Sequence, residues 1–264
     1  MKHESFSLHY ICAKIKVIGL QTKIRVGAVS YLNTKPLVYG FEHGMMADKI
    51  NMEIDYPSRI ASMLLENDID VGLVPVSVIP EMKEHYIISD YCIGCNGEVA
   101  SVCLFSDVPL KEVKTILVDY QSRTSAELLK ILVKEFWKIN PVFEETSGEY
   151  RSKIVGATAG LVIGDRALQQ RKISPYIFDL GLEWKKFTGL PFIFAAWISN
   201  KKLDDKFIRE FNEANAWGLR NISEVIKENK TSMINLLDYY TRYISFEMNE
   251  TKMQAVDLFL KKMR

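Results

Sequence analysis

Apolar and polar positions alternate along the chain in a repeating order: a short buried run, a polar turn, then an amphipathic stretch. Ile24, Val26 and Ala28-Val29 form an apolar run of strand length, 30–34 make a polar turn, and Pro36 opens a further apolar run through Leu37, Val38 and Tyr39. That reads as strand, loop and helix start. Residues 52–56 read as a second strand, after which Pro57 and Ser58 introduce a helix over RIASMLLENDID with Ile60, Met63, Leu64 and Ile69 near helical spacing. DVGLVP, 70–75, is almost continuously apolar, as in a parallel strand covered on both faces. The order is βαβαβ.

A strand over 86–92 leads to Gly94-Cys95-Asn96-Gly97, a glycine-flanked break where an interlobe hinge is expected. A second α/β series follows: strand 99–105, a helical turn near 109–113, strand 115–118 and helix 125–137, then Pro141-Val142-Phe143 and a strand at 160–163. FIFAAWI, 192–198, reads as the strand that returns to the first lobe. From Asp204 onward the pattern is helical, with Phe207, Phe211, Ala214, Trp217 and Leu219 in one helix and further helices around 233–243 and 251–263. Two α/β series imply two lobes: 23–95 plus 198–264, and 96–197, preceded by a loosely ordered extension over 1–22.

Composition narrows the partners. The chain has 264 residues, 48% hydrophobic and 25% charged, enough to bury a real core. Its 34 Lys+Arg and 33 Asp+Glu leave a net charge of +1, so no global field draws nucleic acid or an anionic membrane, and any anion recognition is local. Cys12, Cys92, Cys95 and Cys103 fit free thiols in a reducing compartment, since Cys92-x-x-Cys95 has no second ligand pair to complete a metal site. His9, Lys14 and Lys16 interrupt any apolar core that a signal peptide would need, and no run approaches the ~20 apolar residues of a membrane span. A cytoplasmic protein is expected.

Three loops could carry chemistry. Ser30, Tyr31, Asn33, Thr34 and Lys35 lie past the first strand, where α/β folds bind ligands, although Ser, Asn and Thr also serve as helix caps. Pro75-Val76-Ser77 is a second mouth loop. In DYQSRTS, Ser122, Thr124 and Ser125 bring hydroxyls and Arg123 a cation to a helix start, which suits a carboxylate; Ser122 or Thr124 is expected to cap the helix as well. Ser101 lacks a nucleophile elbow and defaults to a backbone hydrogen bond, and Asp165 is a cap or a partner of polar groups across the cleft. His3, His9, His43 and His85 show no ligand spacing, and neither GxGxxG nor GxxxxGK[ST] occurs, so no metal and no nucleotide cofactor is indicated. The aromatic stretch 184–198 reads as core and cleft wall rather than a nucleic-acid stacking surface.

SYLNTKPLVYG, eleven adjoining residues from Ser30 to Gly40, resembles the N-terminal signature of the chorismate dehydratases of the futalosine route to menaquinone. DVGLVPVS, CIGCNGEVASVCLFSDVPLKEV, VDYQSRTSAELLK, LVIGDRAL and DLGLEWKKFTGLPFIFAAW extend the resemblance over about 24–197, with a weaker helical tail. Cys95 and Asn96 replace the small residue and aspartate expected at the hinge, and the leader has no counterpart. The resemblance implies an α/β, two-lobed fold like that of type II periplasmic binding proteins, with a ligand cleft between the lobes. It implies a hydro-lyase without cofactor that takes dianionic chorismate to 3-[(1-carboxyvinyl)oxy]benzoate and water, as a monomer or homodimer. Asn33 and Ser101 would face the reacting ring from the two lobes, and Ser30, Tyr31, Thr34, Val76, Ser77, Ser122, Arg123, Thr124, Ser125, Asp165 and Trp197 would bind substrate. A cytoplasmic solute-binding protein for an anionic metabolite is the alternative from another class. The sister 1,4-dihydroxy-6-naphthoate synthases differ at the first mouth, where this chain has SYLNT without a cysteine.

Overall fold

A computed structural model describes residues 23–264; the expectation for 1–22 lies outside the described residues. In chain order the strands are β1 Ile24–Val29, β2 Ile50–Asp55, β3 Val71–Pro75, β4 Tyr86–Cys95, β5 Val102–Ser106, β6 Thr115–Val118, β7 Val142–Glu145, β8 Thr158–Ile163, β9 Tyr176–Asp179, β10 Phe192–Ser199 and β11 Ser245–Glu247. They build two separate sheets, ordered β11-β4-β10-β3-β1-β2 and β7-β6-β8-β5-β9. β1 runs parallel to β2 and β3, and β6 parallel to β7 and β8, as connections through helices require. The helices are α1 Lys35–Glu42, α2 Pro57–Leu65, α3 Thr124–Ile131, α4 Gly164–Gln170, α5 Leu180–Thr188, α6 Asp205–Arg220, α7 Ile222–Glu228, α8 Leu236–Asp238 and α9 Glu250–Lys262. α3 and α8 each pass directly into a π-helical turn, Leu132–Trp137 and Tyr239–Tyr243.

Two boundaries differ from the sequence reading. β10 pairs along its length with the first sheet, Phe192 opposite Cys95 and Ala195 opposite Pro75, so residues 192–197 belong there and the chain returns just before Phe192 rather than at 198–200. A uniformly apolar run reveals burial on both faces but not which sheet receives it. The hinge is also shorter than expected: Gly94 and Cys95 are buried strand residues, and a Cβ on Gly94 would lie 2.7 Å from the Phe192 carbonyl oxygen. Here glycine marks a close strand approach, not a break.

α1 and α6 cover one face of the first sheet. Tyr39 stacks on Trp217 at 5.1 Å, and Phe41 meets Phe211 at 4.8 Å. Trp197 points into this layer with no exposed surface; its ring stands edge-on to Phe211 at 4.9 Å and its Nε1–H donates to Asn215 Oδ1 at 2.8 Å. It is a core residue on the helix-covered face, so its expected substrate contact is corrected. Where the two sheets meet, Trp184 of α5, Phe192 of β10 and Phe259 of α9 pack edge to face.

Asp70 ties the centre of the first sheet to its neighbours. Its carboxylate accepts from the Arg25 backbone N–H at 2.9 Å, from Arg25 Nη2 at 2.9 Å and from Lys201 Nζ at 2.9 Å. Burial alone would raise its pKa, but these donors outweigh burial and hold the carboxyl well below the usual carboxylate range. A depressed folded pKa contributes stability that is complete above the unfolded value, near ~3.9, and is lost as pH falls below it toward the folded value. Asp70→Asn should therefore cost about 1–2 kcal/mol at pH 7, after screening of the half-exposed cations. In urea unfolding its gap from the natural chain should narrow by about 1 kcal/mol between pH 5 and pH 3. A gap constant over that range would show that the ion pairs do not contribute in this way.

Candidate functional site

The carboxyl ends of β1, β3, β6 and β8 converge on a narrow cavity of about 50 Å³ between the sheets. The first lobe contributes Tyr31, Asn33 and an apolar wall of Val29, Ile93 and Phe194; the second contributes Val102, Ile163, Gly164 and Ser122–Ser125. Its position is where open α/β sheets take ligands.

The polar end of the cavity is the start of α3. Its N-cap residue is Arg123, and no side chain caps it, contrary to the expected capping by Ser122 or Thr124. The reason is tertiary. The Thr124 hydroxyl is engaged across the lobes, accepting from the Ser77 N–H at 3.2 Å and donating to Ser77 Oγ at 3.2 Å, while the Ser122 N–H turns back to the Asp119 carbonyl at 3.0 Å. First-turn amides are thus left without a side-chain acceptor, beside Ser125 and the Arg123 guanidinium, at the positive end of the helix dipole.

Behind this end lies a buried charge network. Arg166 Nη2 stands 2.8 Å from both Asp119 oxygens, the Tyr150 hydroxyl lies 3.0 Å from Oδ2 and shares its proton with the Leu161 carbonyl, and the Gln121 N–H donates to Oδ1 at 3.0 Å. Arg166 also donates to Gln121 Oε1 at 2.8 Å, and that oxygen accepts from the Tyr31 hydroxyl of the other lobe. Burial pushes the Tyr31 hydroxyl's pKa upward, so it remains a neutral donor. Two more bonds cross the cleft: the Leu32 N–H donates to Asp165 Oδ1 at 3.1 Å, and Arg123 pairs with Glu81 at 3.0 Å. Burial raises the Asp165 carboxyl, opposed by that N–H.

The remaining candidates divide. Asn33 lines the cavity, and the fully buried Thr34 hydroxyl donates to its Oδ1 at 3.3 Å, which orients the amide. Ser30 is exposed, with its N–H on the Asp55 carbonyl, and Val76 is buried; neither lines the cavity. Asp165 is likewise set back, on the Leu32 N–H. Ser101 has no exposed surface and does not itself line the cavity; it lies behind the wall, next to lining Val102, and its carbonyl accepts from the Gly164 N–H at 2.8 Å. Its hydroxyl donates to the Val99 carbonyl at 3.4 Å, the backbone bond expected of a serine there. Tyr239 and Tyr240 bury hydroxyls with no partner among the described residues. Sequence reasoning missed this tyrosine pair, since it falls in a π-helical turn whose spacing matches no regular period, and it missed Glu81 and Gln121, whose partners lie in the opposite lobe.

Among the described residues no group of three His, Cys, Asp or Glu could hold a metal ion. Cys92, Cys95 and Cys103 are free and buried, and burial pushes the Cys95 thiol up to about 12, far from a reactive thiolate. No helix among the described residues is long and apolar enough to cross a membrane.

Two mixed sheets flanked by helices, with a cavity at the ends of the parallel strands, define the periplasmic-binding-protein-like class. A solved protein of Archaeoglobus fulgidus superposes with a TM-score of 0.72 at 17% identity, covering 91% of this chain and 96% of that one. A Candida albicans protein with the generic periplasmic binding protein fold gives 0.60 at 13% identity, over 91% of this chain and 90% of its own. The aliphatic sulphonate binding protein SsuA of Escherichia coli gives 0.57 at 14% identity, over 90% and 87%. Within this class, the family model described as menaquinone biosynthesis matches residues 24–264, and the chain belongs to that family. A curated relative, the chorismate dehydratase of Thermus thermophilus, is 25% identical over 221 residues, 76% of this chain and 79% of the relative.

Gly164 sets how closely the lobes approach at the cavity. Its φ is +61°, and a Cβ there would lie 2.8 Å from ring carbons of Tyr31. Gly164→Ala combines left-handed strain with a clash and should lower stability by about 2–4 kcal/mol, a fall in Tm of roughly 5 °C or more. Pairing it with Tyr31→Ala should recover at least ~0.5 kcal/mol relative to the sum of the single changes. Strict additivity in that cycle would remove the Tyr31 contact as the cause.

Proposed function

We propose that the cavity binds chorismate and that the protein is a chorismate dehydratase, acting in the cytoplasm to release 3-[(1-carboxyvinyl)oxy]benzoate and water. The observation that carries this reading is the α3 start, open to the cavity without a side-chain cap, with Arg123, Ser122 and Ser125 around it. In a chain of net charge +1 it offers a local cradle for one carboxylate of a dianion. The apolar wall of Val29, Ile93 and Phe194 suits the ring.

The reaction removes the C3 proton and the C4 hydroxyl. The C3–H electron pair becomes a ring double bond as the C4–O bond breaks, the hydroxyl leaves as water with a proton, and the ring becomes aromatic. Because aromatisation drives the reaction downhill, the protein's share is positioning and electrostatics. The cavity wall supplies no histidine, carboxylate or amine; its ionisable side chains are Arg123 and the neutral Tyr31. Lys35, the one amine in the mouth loop, pairs with Glu42 at 3.2 Å and is not part of that wall. The base in this reading is a carboxylate of chorismate itself, with Asn33 on the first lobe and Ser101 at the lobe junction holding the reacting groups in geometry.

Incubation with chorismate and mass analysis of the product tests the reaction; binding in calorimetry without product would identify a solute-binding protein instead. Thr124→Ala/Ser125→Ala should raise KM about tenfold or more through loss of charge-assisted hydrogen bonds, whereas a fall in Tm alone would return this helix start to a structural role. Asn33→Ala and Ser101→Ala should each cut kcat roughly a hundredfold while chorismate still binds. Lys35→Met is the control: if it abolishes turnover and Asn33→Ala does not, the amine is the base and substrate assistance is wrong.

A further inference from the structure

The backbone leading into Ser101 is held in an unfavourable form. Ala100 has φ +64°, and the Ser101 N–H donates to the Val99 carbonyl at 2.8 Å, closing a three-residue turn around a central residue of positive φ. This γ-turn is the rare, strained kind, and an alanine gains nothing there from side-chain hydrogen bonding. Strained backbone persists only where its surroundings over-determine it.

What over-determines it is one carboxylate. Asp179 ends β9 and is the N-cap of α5, with 5% of its surface exposed. Its Oδ1 accepts from the Gly181 N–H at 3.1 Å and the Leu182 N–H at 3.2 Å, the ordinary work of a cap. Its Oδ2 accepts from the Ala100 N–H at 2.8 Å and the Val99 N–H at 3.2 Å, with a second contact from Val99 to Oδ1 at 3.1 Å. Both N–H groups flanking the bend are therefore bonded to a side chain more than seventy residues away, and the Ser101 carbonyl is fixed in turn by the Gly164 N–H.

We propose that Asp179 is a positioning residue for Ser101: its Oδ2 clamps the strained turn at Ala100 and so fixes where the Ser101 hydroxyl stands at the lobe junction. The inference rests on the reading of Ser101 as a group that handles chorismate. A helix cap alone would not need an aspartate, because asparagine caps as well. An amide, however, has a single acceptor oxygen and can serve the cap or the clamp, not both.

Asp179→Asn separates the two roles. It should reduce kcat about tenfold or more with KM changed less than about twofold, and amide deuterium exchange over 99–103 should quicken by a similar factor. Adding Ala100→Gly, which accepts positive φ without strain, should restore kcat roughly fivefold or more over Asp179→Asn and slow the exchange again. Ala100→Val opposes the turn without touching the α5 cap, so it should show the same fall in kcat at near-constant KM; it remains informative if Asp179→Asn does not fold. The proposal is overturned if Asp179→Asn lowers Tm but keeps kcat, if its loss of kcat comes without faster exchange or without rescue by glycine, or if Ala100→Val turns over like the natural chain. If the natural chain forms no product from chorismate, the dehydratase reading fails, and the exchange of the same variants still decides whether Asp179 holds the turn.

Discussion

The site depends on a buried carboxylate finding enough donors. Asp119 has no exposed side-chain surface, and an uncompensated charge there would cost about 3–5 kcal/mol. Arg166 from the start of α4, Tyr150 from a distant loop and the N–H of Gln121 all converge on it. In satisfying that carboxylate the protein fixes the loop after β6 to the loop after β8, which places the start of α3 and Gly164 on one side of the cavity. Through Gln121 the same network reaches Tyr31 in the other lobe, so the closed arrangement is an extension of the charge pairing and not a separate set of surface contacts.

The recognition end of the cavity is made mostly of backbone. A helix start presents amide donors at fixed spacing and carries partial positive charge without titrating. The cation on the cavity wall, Arg123, already has a carboxylate partner in Glu81, half of whose side chain is exposed. An anion entering there therefore meets donors that cost little reorganisation and a guanidinium held ready by an exchangeable counter-ion. Such an arrangement offers a local anion site in a chain with almost no net charge, which overall composition cannot reveal.

Much of this was legible in the residues. The first lobe's strands and α2 followed from apolar runs and from Pro57 at a helix start, and the loops around Asn33 and Ser122 announced themselves by polar residues following a buried strand. What stayed hidden was tertiary. FIFAAWI is equally apolar in either sheet, so Trp197 could be assigned to the cleft although its indole needs Asn215 of α6. Thr124 looks like a cap until Ser77 from the other lobe takes its hydroxyl. Tyr176–Asp179 is too short and too mixed to read as a strand, and with it Asp179 passed unnoticed as the residue that joins α5 to the approach of Ser101.

The place of β10 has a consequence for the order in which the molecule is made. The smaller sheet is assembled from one unbroken stretch, 102–179, and can form as soon as that stretch leaves the ribosome. The larger sheet cannot. β3 and β4 do not pair with each other; they are joined only when β10, about a hundred residues later, inserts between them. Until then the apolar edges of β3 and β4 must wait unpaired, exposed to the pairing errors that such edges invite. The lobe that is synthesised first is therefore completed last, and its closure is gated by synthesis of the lobe it later faces.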